Sequence, residues 1–242
     1  MRKKFILLAI GLTLLSTVVA ASAAVGKHHV MTPVQSAVQV SSPPVAGIDY
    51  KVLEPTVPLL SHGLNKVQVL AFFWYGCPHC NDLEPLLEPW IRKQAANTVL
   101  VQRVPVAFNK RFSGHSRLYY TLEAMGRLDL HEKFFHALHV ENKQIIDDRQ
   151  IIDWVVAQGL NQAQFTQMFN SFGVDSKVQA ANKLVQDYHL DGVPTIAIAG
   201  KYVTSPAITG SNQRTIQVTD WLVQQAELSL HVPERKSHKK NK

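Results

Sequence analysis

The chain has 242 residues, a formal charge of +7, 46% hydrophobic residues and two cysteines. It is long enough to bury its own core, and one cysteine pair is no framework of disulfide staples. The charge sits at the ends: Arg2, Lys3 and Lys4 at the start, and five basic against one acidic residue in 234–242, which leaves 17 basic and 17 acidic residues between them. A nucleic-acid surface needs Lys and Arg clustered on a folded face, and the balanced body argues against one.

The first residues read as an export signal, 1–23. The basic start precedes an uncharged apolar run at 5–19, and Ala21-Ser22-Ala23 offers a small-residue cleavage site. The alternative is an uncleaved anchor, since 5–25 is long enough to span a bilayer. No cysteine lies at the cleavage region, which excludes a lipoprotein anchor. Export places the chain where disulfides persist. Residues 24–47, with Pro33, Pro43 and Pro44, read as a poorly ordered linker. A short strand is expected at 48–53, turns around Pro55 and Pro58, and a loop at 61–65.

The apolar run 67–75 reads as a strand buried on both faces. It leads into Gly76-Cys77-Pro78-His79-Cys80, which holds both cysteines. A helix is expected from 81 to 94, kinked or broken at Pro85 or Pro89. Cys77 then sits at a helix N-terminus, where free N–H groups and the helix dipole favour an anion such as a thiolate. A lowered pKa makes a sulfur both nucleophile and good leaving group. Cys80, one turn on, is placed to close a disulfide with it. So short a loop gives little chain-entropy stabilisation, which argues for a dithiol/disulfide redox site over an inert staple.

A β-branched strand follows at 98–104, ending at Pro105. The order strand, helix, strand puts the cysteines at the end of a βαβ strand, where α/β sheets place ligands. From 112 to 188 the period turns helical, with elements expected at 116–125, 128–140, 148–158, 162–169 and 175–188. Gly126, Gly159 and Gly173 read as stops, and Asp147 or Asp148, Asn161 and Asp175 as N-caps. Trp154, Phe165, Met168, Phe169 and Phe172 read as core of this region. A hairpin is expected at 195–199 and 202–204 around Gly200-Lys201, then an amphipathic helix at 212–230 with Val218, Trp221, Leu222, Ala226 and Leu228 on its buried side, stopped by Pro233. The basic end 233–242 reads as a disordered, solvated tail, with weak attraction to anionic lipid as the alternative.

These residues carry a resemblance. Strand, C-x-x-C at a helix start, strand, helices, then Gly192-Val193-Pro194-Thr195 before a hairpin resembles the thioredoxin fold. The helical insertion and Cys77-Pro78-His79-Cys80, together with Val69-Leu70-x-Phe72-Phe73 and Gly200-Lys201-Tyr202, resemble the DsbA group of periplasmic thiol oxidases over about 48–230. The fold class is therefore expected to be α/β: a thioredoxin-like domain formed by 48–110 and 189–232, with a helical domain inserted at 111–188. The resemblance implies that Cys77 is the attacked sulfur and Cys80 the buried resolving one. Pro78 and His79 support the pair, with His79 stabilising the Cys77 thiolate. Pro194 is cis, facing the cysteines, and the Val193 backbone pairs with a bound substrate strand. It further implies a periplasmic donor of disulfides to unfolded exported proteins, reoxidised by a quinone-linked membrane partner of the DsbB type, working as a monomer without cofactor. One departure stands out. Where the group often carries a buried acid in the strand before the site, this chain has Ala71, and Arg103 lies near the place of a family lysine.

Three other readings compete. A reductase or isomerase of the same fold would use the same pair. A passive chaperone-like protein would not need Cys77. A metal site would need more ligands than Cys77 and Cys80, since structural zinc takes four. His131, His136 and His139 lie far from the cysteines in sequence and read as ordinary, partly exposed helix residues.

Overall fold

The structure, a computed structural model, describes residues 42–60, 65–94 and 96–231. The expected export signal, most of the linker, the loop at 61–64 and the basic tail with Pro233 lie outside the described residues.

Five strands form one mixed sheet: β1 (Lys51–Val52), β2 (Val67–Phe73), β3 (Val99–Pro105), β4 (Thr195–Ile198) and β5 (Tyr202–Thr204), in the order β1-β5-β4-β2-β3. β2 is central. It runs parallel to β3 and antiparallel to β4, with Ala71 paired to both Arg103 and Ile196. All seven of its residues are buried, as a strand covered on both faces requires. Burying each large side chain contributes about 1.5–3 kcal/mol, so β2 anchors the sheet.

Helices cover both faces. α1 (Pro78–Lys93) and α8 (Asn212–His231) pack on the face that carries Val67, Val69 and Ala71. Trp90 of α1 donates its indole N–H to Asp220 of α8 at 3.0 Å, tying the two helices together. The other face, carrying Leu70 and Phe72, meets the helical region. That region comprises α2 (Ser113–Ala124), α3 (His131–His139), α4 (Asp148–Ala157), α5 (Gln162–Phe169) and α6 (Phe172–Asp187). A single turn, α7 (Pro206–Thr209), links β5 to α8.

Several expectations change. α1 begins at Pro78, with Cys77 as its N-cap residue, and runs unbroken through Pro85 and Pro89. The prolines each remove one backbone donor, but the buried stripe Cys80, Leu83, Leu87 and Trp90 holds the helix to the core. Gly173 does not stop a helix: α6 starts earlier, capped by the Ser171 side chain, with Asp175 in its first turn. Phe172 is therefore the first helical residue and stands 86% exposed rather than in the core. In α8, Leu228 points outward and Val223 is buried instead. Asp147 and Asn161 do cap their helices, Asp147 through a full capping box. Residues 45–50, partly assigned to the linker, form a fixed turn. Val45 N–H donates to Asp49, and Asp49 accepts a two-pronged ion pair from Arg214 at 2.8 and 3.0 Å.

Candidate active site

The Cys77-Pro78-His79-Cys80 turn sits where β2 ends and α1 begins. Cys77 and Cys80 are free thiols. Pro78 and His79 are exposed between them. Cys77 N–H donates to the Trp74 carbonyl at 3.0 Å, and Cys80 N–H to the Cys77 carbonyl at 3.1 Å, which fixes the turn. From the far end of the chain comes Val193-Pro194, joined by a cis peptide bond. The Cys77 thiol donates to the Val193 carbonyl at 3.4 Å, and Pro194 lines the space behind Cys80. The fold thus brings together Cys77, Cys80, Val193 and Pro194.

The two thiols are unequal. Cys77 is drawn down to about 6, first because the Cys80 thiol donates to it; the backbone N–H groups of Cys80 and His79, then the His79 ring, add to this against the cost of burial. The expected role of His79 is therefore shared: the helix N-terminus and the partner sulfur act more strongly than its ring. Burial pushes the Cys80 thiol far up, and its bond to Cys77 and the nearby charges of Cys77 and Glu84 push it further.

The wall beside Cys77 is aromatic. Trp74 packs on Phe112 with ring centroids 4.6 Å apart, and its indole N–H donates to His115 Nδ1 at 3.1 Å. His115 is pinned at its other nitrogen to the Ile145 carbonyl, and burial holds its pKa low, so the neutral ring accepts from Trp74. Gly76 lies flat against this indole: a Cβ there would fall inside the Trp74 ring.

A family profile for the DSBA-like thioredoxin domain matches residues 91–216, starting beyond the cysteine pair. The thiol:disulfide interchange protein DsbA of Burkholderia cepacia is 40% identical over 188 residues, 76% of this chain and 86% of the relative. The chain belongs to the DsbA family. DsbA of Pseudomonas aeruginosa PAO1 is 34% identical over 180 residues, 74% of this chain and 84% of the relative. The crystal structure of Pseudomonas aeruginosa DsbA superposes with a TM-score of 0.72 at 32% identity, covering 77% of this chain and 96% of that one. This DsbA-family chain is a thiol:disulfide oxidoreductase with a thioredoxin fold and a helical insertion.

Ala71 leaves a cavity of about 10 Å³ behind Cys80, which Glu84 and Arg103 also line. The acid missing from β2 has a counterpart on α1: Glu84, one turn beyond Cys80, is 6% exposed and forms a close ion pair with Arg103, which also binds Glu88. Burial raises the Glu84 pKa, but the His131 ring and the Arg103 guanidinium outweigh it and hold the carboxyl below its usual range. Sequence reading passed over Glu84. Its signal was position, on the same helical stripe as Cys80, Leu83 and Leu87.

Among the three helix histidines, His131 departs from expectation. His131 is 5% exposed, with Nδ1 2.8 Å from the Tyr75 hydroxyl and Nε2 3.6 Å from Glu84. His139 donates to the Tyr75 carbonyl. Only His136 stands exposed, paired with Glu141 at 3.1 Å. No cluster of His, Cys, Asp or Glu suited to a metal ion occurs among the described residues.

Proposed function

We propose that Cys77 and Cys80 are the redox pair through which this enzyme oxidises the thiols of exported proteins in the periplasm. The observation that carries this is the inequality of the two sulfurs: Cys77 at a helix N-terminus with its pKa drawn to about 6, Cys80 buried with its pKa pushed up. A substrate thiolate attacks Cys77, the Cys77–Cys80 bond breaks, and Cys80 leaves and takes a proton. A second substrate thiolate then attacks the substrate sulfur of the mixed disulfide and releases Cys77 as a thiolate. Two electrons pass from substrate to enzyme. Because the departing Cys77 is a stabilised anion, the reduced form is favoured and the disulfide is a strong oxidant.

Once Cys77 is ionised, the Val193 carbonyl no longer takes its proton and is available to a backbone N–H of an extended substrate, as in strand addition. Pro194 closes the site behind. The family implies substrate proteins and a reoxidising partner; a DsbB-type, quinone-linked membrane protein fits the need to remove two electrons per turnover. The expected organisation suits this role: residues 1–23 as the export leader, 24–47 as linker, 48–110 with 189–232 as the thioredoxin-like unit, 111–188 as the inserted helices and 233–242 as a basic tail. No helix among the described residues is long and apolar enough to cross a membrane.

Equilibration of the protein with glutathione buffers tests the direction of flow. A reduction potential near −120 mV, the reference value for the DsbA family, marks a donor of disulfides, whereas about −230 mV or below marks a reductase and overturns the proposal.

A further inference from the structure

The loop after β3 stands beside the redox turn and is held there at both ends. Val106 N–H donates to the Phe73 carbonyl at 2.7 Å, and the Phe112 ring packs on Trp74. The Trp74 carbonyl accepts from Cys77 N–H, so residues 107–111 cannot stray far from the reactive sulfur. Lys110 is two residues from Phe112, which keeps their Cα atoms within about 7 Å. The turn itself is fixed. The Asn109 side chain accepts from Arg111 N–H at 2.9 Å, and the Ser113 hydroxyl donates to the Lys110 carbonyl at 2.8 Å. Phe108 stands 54% exposed. Trp74 and Phe112 are half-buried, with His115 fastening the indole.

Lys110 and Arg111 are exposed, and neither side chain has a hydrogen bond or ion pair among the described residues. Nearby arginines differ: Arg103 of β3 and Arg117 of α2 each meet a carboxylate. The two cations also stand just before α2, whose first turn carries no acid, and there the helix dipole disfavours positive charge. Asp148 of α4 reaches the same helix start at Gly114 and pairs with neither. The chain between its basic ends is neutral. This corner is therefore a local excess of positive charge, unfavourable to the helix it precedes and unanswered by a carboxylate of the chain.

We propose that Lys110 and Arg111 select among substrates, favouring client segments that carry acidic residues beside the cysteine. The inference rests on Cys77 and Cys80 being the redox pair. When a client thiol reaches Cys77, the Trp74 and Phe112 rings take an apolar neighbour of the client cysteine. A carboxylate one or two residues further on reaches Lys110 and Arg111. Exposed pairs of this kind contribute little once formed. Their larger effect is on encounter, because unlike charges draw partners together before they touch. Acidic clients are oxidised faster and basic clients more slowly. Anionic lipid offers the same charge, but two cations fall short of the roughly four to eight that a lipid surface calls for.

The test compares charged peptides on the full chain. Each peptide carries one cysteine next to phenylalanine, followed or preceded by two aspartates or two lysines, and the rate at which it reduces the oxidised protein is measured. The ratio of aspartate to lysine rates should be about threefold or more higher in the wild-type protein than in the paired variant Lys110→Glu with Arg111→Glu. That comparison cancels the peptides' own reactivity and the basic tail. Lys110→Gln with Arg111→Gln should fall between the two. The difference should vanish as salt rises from about 0.01 M to 1 M, which shortens the screening length from about 30 Å to about 3 Å. Equal ratios in the wild-type and Glu proteins overturn the proposal, as does a difference that survives 1 M salt. It is also overturned if the Glu variant loses binding to phosphatidylglycerol vesicles while its peptide ratio stays at the wild-type value, which would make the patch a lipid contact. Failure of every peptide to reduce the wild-type protein would instead refute the redox pair.

Discussion

His139, the last residue of α3, donates from Nε2 to the carbonyl oxygen of Tyr75 at 2.7 Å. Sixty-four positions separate the two residues, and the bond ties the helical region to the backbone two residues before Cys77. The loop that presents the reactive sulfur is thus held from both sides, by this imidazole and by the Val193 carbonyl. His139→Ala leaves a half-buried carbonyl short of a donor, which costs about 1–2 kcal/mol. Urea denaturation should show that loss, and thiol–disulfide exchange should slow severalfold. Exchange at the wild-type rate would mean that the loop keeps its shape without the helical region.

The inequality of the sulfurs sets a pH window. In the reduced protein Cys77 titrates near 6, against an ordinary value near 9. A group whose pKa falls on folding contributes stability that is complete above its unfolded value and disappears as pH drops through its folded value. The reduced form should therefore gain up to roughly 4 kcal/mol between pH 6 and 9, with none of this gain left below pH 6. Thiolate absorbance should be half-maximal near pH 6. Cys80→Ala removes the largest stabilising contact and should move that midpoint upward by about one pH unit or more. A midpoint near 8.5 in the wild-type protein would contradict the site's electrostatics.

Gly76 is required by contact with its neighbour. Gly76→Ala drives a methyl into the Trp74 ring, and overpacking of this kind costs about 1–3 kcal/mol. Trp74 is also fixed by His115 and Phe112, so it has nowhere to turn. The paired change Trp74→Ala with Gly76→Ala should recover part of the stability, because the obstacle is gone. A double variant no more stable than Gly76→Ala alone would place the strain in the backbone.

Much of this was legible beforehand, because the signals were local. Seven consecutive β-strand residues without a charge announce a strand buried on both faces. Asp147 and Asn161 cap helices through their own neighbouring N–H groups. The cysteine spacing places both sulfurs at the first turn of α1. What was hidden depends on distant partners. Glu84 carries no local signal of its role until Arg103, on the next strand, is brought over it. His131 reads as a surface residue until Tyr75 and Glu84 close around it. Leu228 and Phe172 read as core because helical period shows which residues share a face and not how far the covering neighbour extends.

Ala71 invites a substitution. Ala71→Glu restores an acid to β2, yet the cavity of about 10 Å³ cannot take the longer side chain, and Glu84 already occupies the charge position beside Arg103. The variant should lose about 2–4 kcal/mol from overpacking and from a third carboxylate brought to a guanidinium that Glu84 and Glu88 already share. Combining it with Glu84→Gln should restore part of that loss. A stable single variant would show that the back of the site is more pliant than its packing indicates.

The sheet order has a consequence for how the enzyme comes into being. β4 lies between β5 and β2, so the central strand gains its second neighbour only after some 120 further residues have been made. A chain exported as proposed above would expose Cys77 and Cys80 long before the segment that completes their surroundings. During that interval Cys77 lacks the Val193 carbonyl that meets its sulfur in the finished fold. On the proposed function the newborn enzyme would then be in the condition of its own clients, open to oxidation by an older copy of itself.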